Sequence, residues 1–163
     1  MCPRAVYSNK TSDFIVDSLV EWFHNLNESE QLSITLIQIK IENGPESSGV
    51  RTQFLKRMTE FAKAIGKSIQ LLYYPPYHSK YNPIERCCVI LQLNCNLGLL
   101  TDTKTMLKWA KTMTFQCLHP IISLTKKFYK KGISLTKKAM RKIEAKIDRN
   151  PSLPKWDIYI LPD

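Results

Sequence analysis

Residues 32 to 74 read as strand, helix, strand, and that order leaves few folds open. LSITLIQIKI (32–41) is rich in β-branched residues and alternates in polarity, as a half-buried strand does. Glu42-Asn43-Gly44-Pro45 ends it with a turn by composition. Val50, Phe54, Leu55, Met58, Phe61, Ala62 and Ile65 then recur at helical spacing, and Gly66 suits the left-handed position just past a helix end. Ser68 to Tyr74 reads as a second strand, stopped by Pro75-Pro76. Strands joined through a helix pair in parallel, because a two-residue hairpin cannot connect them. An earlier helix fits in front: Ser12 as N-cap, Asp13 at the positive end, and Phe14, Ile15, Leu19, Val20, Trp22 and Phe23 as a broad apolar side. The expected fold class is α/β.

Beyond the loop PPYHSKYNP, Asn82 and Pro83 suit the N-cap and first position of another helix. Further helices are expected near 102–114, 120–131 and 136–149, with Gly132 between the last two and Pro151 and Pro154 ending the run. Trp156 to Leu161 is expected to form a short terminal strand. The pentapeptide SLTKK occurs at 123–127 and again at 134–138, and reads as coincidence or as two similar helix starts.

The charge is uneven. Residues 1–100 carry 10 Lys/Arg against 9 Asp/Glu, whereas residues 101–163 carry 14 against 5, so nearly all of the net +10 lies in the last third. A basic tail on a near-neutral body suggests a polyanionic partner, nucleic acid first, with a solvated Lys-rich surface as the plain alternative. Five cysteines without a C-x-x-C pair suggest neither a disulfide framework nor a structural zinc site, and Cys117 and His119 lack a second ligand pair. No stretch approaches the roughly 18 apolar residues of a membrane span, and the first ten residues lack the apolar segment of a secretory signal. A cytoplasmic protein with no membrane partner is expected.

Two carboxylates stand out. Glu42 ends a core strand and Glu85 opens a helix. Ligands of open α/β sheets gather beyond the carboxyl ends of the strands, and Mg²⁺ takes carboxylate oxygens together with water and phosphate. Each residue also has an ordinary explanation. Asn82-Pro83-Ile84-Glu85 has the spacing of a capping box, and Glu42-Asn43-Gly44 that of a common turn.

The segments ENGPESSGVRTQFLKRM (42–58) and YYPPYHSKYNPIERC (73–87) resemble the blocks around the second and third acidic residues of bacterial insertion-sequence DDE transposases of the Rhodopirellula type. The second is also similar to the shorter P-P-Y-S-P-x-L-N-P-I-E block of mariner-like transposases. TSDFIVDSLVEWF, LKWAKTMTF, HPIISL, KKGISLTKKAM and LPKWDIYI continue the likeness from Thr11 to the end of the chain. The resemblance implies an RNase H-like catalytic core that holds two Mg²⁺ or Mn²⁺ ions on three carboxylates, and DNA, as element ends and target, for a partner. Glu85 matches the third carboxylate. Glu42 stands at the second, normally Asp, with Asn43 and Gly44 in the turn that aims it. His78, Lys80 and Arg86 fall where side chains approach the phosphate backbone.

The chain departs from that pattern in three ways. Glu42 replaces Asp. No first carboxylate is evident, since Asp13 and Asp17 read as residues of the opening helix and three upstream strands do not fit before Ser12. Cys88 and Cys95 stand where the family usually has Trp, which suggests a loosened core. The resulting expectation is a partial RNase H-like core, a parallel strand pair with helices, over residues 1–100, followed by a basic helical extension over 101–163. The function expected is DNA transposition by strand cleavage and transfer, in a truncated and inactive form. A non-enzymatic DNA-binding remnant is the alternative, and a structural α/β domain is a third class. An exposed sheet edge is expected to bring limited stability or self-association.

Overall fold

The computed structural model describes residues 4–6, 9–75, 82–95, 102–114 and 118–162. The chain divides into two compact units, one of residues 8–76 with 128–163 and one of residues 1–7 with 77–127.

In the larger unit, helix α1 (Ser12–His24) is capped by Thr11, whose hydroxyl accepts from the Phe14 N–H at 3.3 Å. The cap is one residue earlier than expected, and Ser12 opens the helix. Helix α2 (Glu28–Ser33) is a single capping-box turn: the Asn27 side chain accepts from the Glu30 N–H, and Glu30 reaches back to the Asn27 N–H. This helix takes Leu32 and Ser33 out of the strand expected over 32–41, and strand β2 starts at Leu36 and ends at Ile41. (Strand β1, Arg4–Val6, belongs to the smaller unit.) Helix α3 (Thr52–Ile65) closes on Gly66 at φ 65°, a conformation that favours glycine. Strand β3 (Ser68–Tyr73) pairs parallel with β2 in the register Leu36↔Ser68 to Ile41↔Tyr73.

The basic C-terminal stretch returns to this unit as helix α6 (Lys137–Glu144) and strands β5 (Ile147–Arg149) and β6 (Asp157–Ile160). The sheet order is β2-β3-β6-β5, with β6 antiparallel to both of its neighbours. The terminal strand is thus a central strand, with Ile158 and Ile160 fully buried. The helix expected over 136–149 stops at Glu144, because the chain reverses to lay Ile147 opposite Ile160.

One core holds the unit together. Val16, Leu19 and Phe23 of α1 and Phe54, Leu55, Met58, Phe61 and Ala62 of α3 cover Ile37, Ile69, Leu71, Tyr73, Ile158 and Ile160. Met140 and Ile143 of α6 pack against the same cluster. Each fully buried aliphatic side chain contributes roughly 1.5–3 kcal/mol relative to exposure. Between the helices, Arg57 of α3 meets Asp17 at 2.6 Å and Asp13 at 3.2 Å on α1, and Tyr129 donates to Asp17 at 3.1 Å. Burial alone would lower the Arg57 pKa, but the hydrogen bond to Glu60 and the charges of Asp17, Glu60 and Asp13 carry it above its ordinary value. A polar row crosses the sheet: Gln38 donates to Gln70 at 3.0 Å, Gln70 to Asp157 at 2.8 Å, and Asn150 to Asp157 at 3.0 Å. These bonds satisfy the buried Gln70 amide, which would otherwise be costly.

In the smaller unit, helix α4 (Pro83–Cys95) is followed by α5 (Thr103–Thr112), and β1 pairs parallel with β4 (Ser123–Thr125). Asp102 caps α5 by accepting from the Thr105 N–H at 2.7 Å, and that bond holds its carboxyl below the usual range. No helix forms over 120–131, which carry strand β4 and otherwise irregular chain. Cys88 is exposed on α4. No helix among the described residues is long and apolar enough to cross a membrane. The parallel β2–β3 pair with its covering helices is the arrangement expected of a partial RNase H-like core.

Candidate functional site

Glu42 directly follows β2, at the carboxyl end of the parallel pair. Its backbone is held from three sides. The Glu42 carbonyl accepts from the Gly44 N–H at 2.8 Å and from the Ser47 hydroxyl at 3.0 Å, and the Tyr74 N–H donates to Ile41 O at 3.0 Å. Ser47 is itself fixed by Tyr73, whose hydroxyl donates to Ser47 O at 2.8 Å. Burial pushes the Tyr73 phenol well above the ordinary tyrosine range, and the Arg149 charge opposes this more weakly.

The Glu42 and Asn43 side chains face solvent where the backbone is fixed. Glu42 and Asn43 are exposed and Gly44 is half-buried. Among the described residues, the Glu42 carboxylate has no hydrogen-bond or ion-pair partner. A β-carbon on Gly44 would lie 3.3 Å from the Ser47 hydroxyl, so the turn leaves little room there.

Two residues of the same loop tie it to the body, and the sequence reading assigned them no role. Glu46 Oε2 accepts from the Ser12 N–H at 3.1 Å and from the Ser12 hydroxyl at 3.0 Å, which places a carboxylate at the positive end of α1. Ser12 also donates to Glu46 O at 2.7 Å, and Arg51 lies 3.5 Å from the other carboxylate oxygen. Gly49 is buried against β6: a β-carbon there would come within 2.9 Å of Ile158 Cδ1 and 3.1 Å of Lys155 O. The visible signal was one Glu and one Gly at fixed distances from a strand end; their partners, 34 and 109 residues away in sequence, were not visible.

Glu85 lies in the first turn of α4, in the smaller unit, and is exposed, as is Arg86. The Glu85 N–H donates to Asn82 O at 3.0 Å. The reciprocal bond of a capping box is not made, and among the described residues the Glu85 carboxylate has no hydrogen-bond or ion-pair partner. His78 and Lys80 lie outside the described residues. Asp13 and Asp17 are committed to Arg57. No group of three His, Cys, Asp or Glu side chains suited to a metal ion occurs among the described residues. Glu42 and Glu85 belong to different units, and each by itself offers carboxylate oxygens of the kind that hard divalent cations take.

The family model described as "Rhodopirellula transposase DDE domain" matches residues 4–162. No curated protein and no solved structure matches the chain. Divalent-metal use and DNA as substrate are properties of transposases of this kind. With the match covering nearly the whole chain, and a parallel strand pair carrying an acidic residue at its carboxyl end, the chain belongs to the Rhodopirellula-type transposase DDE-domain family.

Proposed function

We propose that the chain serves DNA transposition by metal-dependent strand cleavage and strand transfer, with Glu42 and Glu85 as ligands of Mg²⁺ or Mn²⁺. The observation that carries the reading is the Glu42 turn, whose backbone is braced while its carboxylate is left uncommitted. A bound cation of this kind activates an oxygen nucleophile and stabilises the leaving oxygen of a phosphodiester. Glu42 and Glu85 supply oxygen ligands, and Asn43 and Gly44 hold Glu42 in aim. Arg86, with His78 and Lys80 of the preceding loop, contacts the phosphate backbone. Residues 1–100 carry the proposed site residues, and residues 101–163 carry most of the excess positive charge.

The resemblance assigns this chain two carboxylates of three. Glu42 also carries one methylene more than the Asp usual at its position, and a misplacement on the order of 1 Å costs about a hundredfold in rate. The chain as it stands is therefore weak or inactive in cleavage unless a third carboxylate is supplied, and it binds DNA regardless. A nicking assay on supercoiled DNA with Mn²⁺ or Mg²⁺ tests this. Glu85→Ala should abolish any cleavage, and Glu42→Asp should raise it by up to about a hundredfold. Cleavage that persists in Glu85→Ala, or that needs no divalent cation, would refute the assignment. DNA binding without cleavage in every variant favours the non-enzymatic reading. Self-association of the chain is part of the proposal.

A further inference from the structure

Helix α6 carries Lys137, Lys138, Arg141 and Lys142, all exposed. Residues 128–146 hold seven Lys/Arg and one acid, Glu144, which is turned to Arg149. Among the described residues, none of the four helix cations is in an ion pair. This arrangement works against the helix. Lys137/Arg141 and Lys138/Lys142 are like-charge i,i+4 pairs, each destabilising by about 0.2–0.5 kcal/mol. Lys137 and Lys138 also sit in the first turn, at the positive end of the dipole, with no acid there. A surface arranged only for stability would place Glu or Asp at these positions.

The position of α6 adds a second observation. The Leu135 N–H donates to the Thr52 hydroxyl at 3.0 Å, which ties the entry of α6 to the first residue of α3. α3 begins at the end of the sheet where β2 delivers Glu42, so the cationic helix starts at the same end as the strand-end carboxylate. The apolar side of α6 is already used: Met140 and Ile143 pack on the core and are not available to enter a lipid surface. Eight residues rise about 12 Å, a length spanning three to four phosphates of one DNA strand at about 3.4 Å each.

We propose that the outward face of α6, through Lys137, Lys138, Arg141 and Lys142, is a contact surface for the phosphate backbone of duplex DNA. The proposal rests on the DNA-processing reading above and adds to it where, outside the carboxylate site, the duplex lies. Such contacts carry no sequence information; they set affinity and register.

The test measures binding of the full chain to labelled duplexes of two unrelated sequences by fluorescence anisotropy across a salt series. Changing all four residues to Gln should weaken binding to both sequences equally and flatten the slope of log K against log salt by about 3 to 4. The melting temperature of the variant should stay level or rise, which separates lost contacts from lost folding. A control pair, Lys63→Gln with Lys67→Gln at the far end of α3, should leave the slope unchanged. If the wild type binds duplex and the α6 variant keeps its slope, or the control flattens it as much per charge, the α6 surface is refuted while DNA processing stands. Stronger binding to phosphatidylserine vesicles than to duplex would also overturn it. A wild type that binds no DNA at any salt would sink both readings.

Discussion

Tyr73 sits where β3 meets the candidate site, and its hydroxyl braces the loop that carries Glu42 through Ser47 O. Burial favours the neutral phenol in the folded chain. The unfolded chain ionises this group near about pH 10, and the folded chain only above that. Above this pH the unfolded state holds fewer protons, so the contribution of Tyr73 to stability is full below about pH 10 and falls as pH rises through the folded value. Tyr73→Phe loses one hydrogen bond, about 1 kcal/mol, and loses the titration with it. Urea melts of the two proteins should therefore differ by a constant amount up to about pH 10 and converge above it. A gap that stays constant throughout the alkaline range would show that the phenol is not held neutral by burial. The same residue shows what sequence can reveal at this scale. The sequence places Tyr73 in a strand, but nothing local indicates that its hydroxyl meets residue 47.

At the scale of elements, the loop from Glu42 to Arg51 is positioned by its neighbours. Gly49 is needed because the loop passes directly over β6, with Ile158 Cδ1, Lys155 O and Tyr73 Cε2 all within 3.3 Å of where a β-carbon would stand. Ile158 can shift, but the Lys155 carbonyl is backbone. Gly49→Ala should thus cost about 1–3 kcal/mol by overpacking, and the melting temperature should fall accordingly. Gly66→Ala has open space and only its left-handed backbone to strain. Equal melting points for Gly49→Ala and wild type would mean that the loop does not rest on β6. Legible in sequence were α1, β2, α3 and β3 from their own periodicity, and the places of α4, α5, α6 and β6. β1, β4 and β5 were decided by the strands they pair with. At its first occurrence the SLT of SLTKK is strand β4, paired with Arg4–Val6, and at its second SLTKK leads through Thr136 into α6. Local propensity is the same in both, so pairing and packing made the difference. The candidate site divides in the same way: Glu42 and its turn were readable from strand-end chemistry and resemblance, whereas the Glu46–Ser12 clamp was not.

For the whole molecule, the sheet order leaves β2 at one margin, and among the described residues no strand pairs with its outer side. Natural edge strands are blunted by charge, proline or cover. β2 has one outward cation, Lys40, and no proline, and Leu36 at its start is 42% exposed. Its unpaired N–H and C=O groups are therefore a template for another strand, and a second copy of the same edge is the partner always at hand in solution. The chain should show concentration-dependent self-association in sedimentation velocity. Leu36→Lys should shift it toward monomer, because like charges placed opposite one another destabilise cross-strand pairing. Leu36 is exposed, so the melting temperature should change little. The outcome also bears on catalysis, since association through β2 would bring together two copies of the strand that leads to Glu42. If the wild type sediments as a single monomeric species across a wide concentration range, the β2 margin recruits no second copy, and any third carboxylate must reach the site by a route other than this edge.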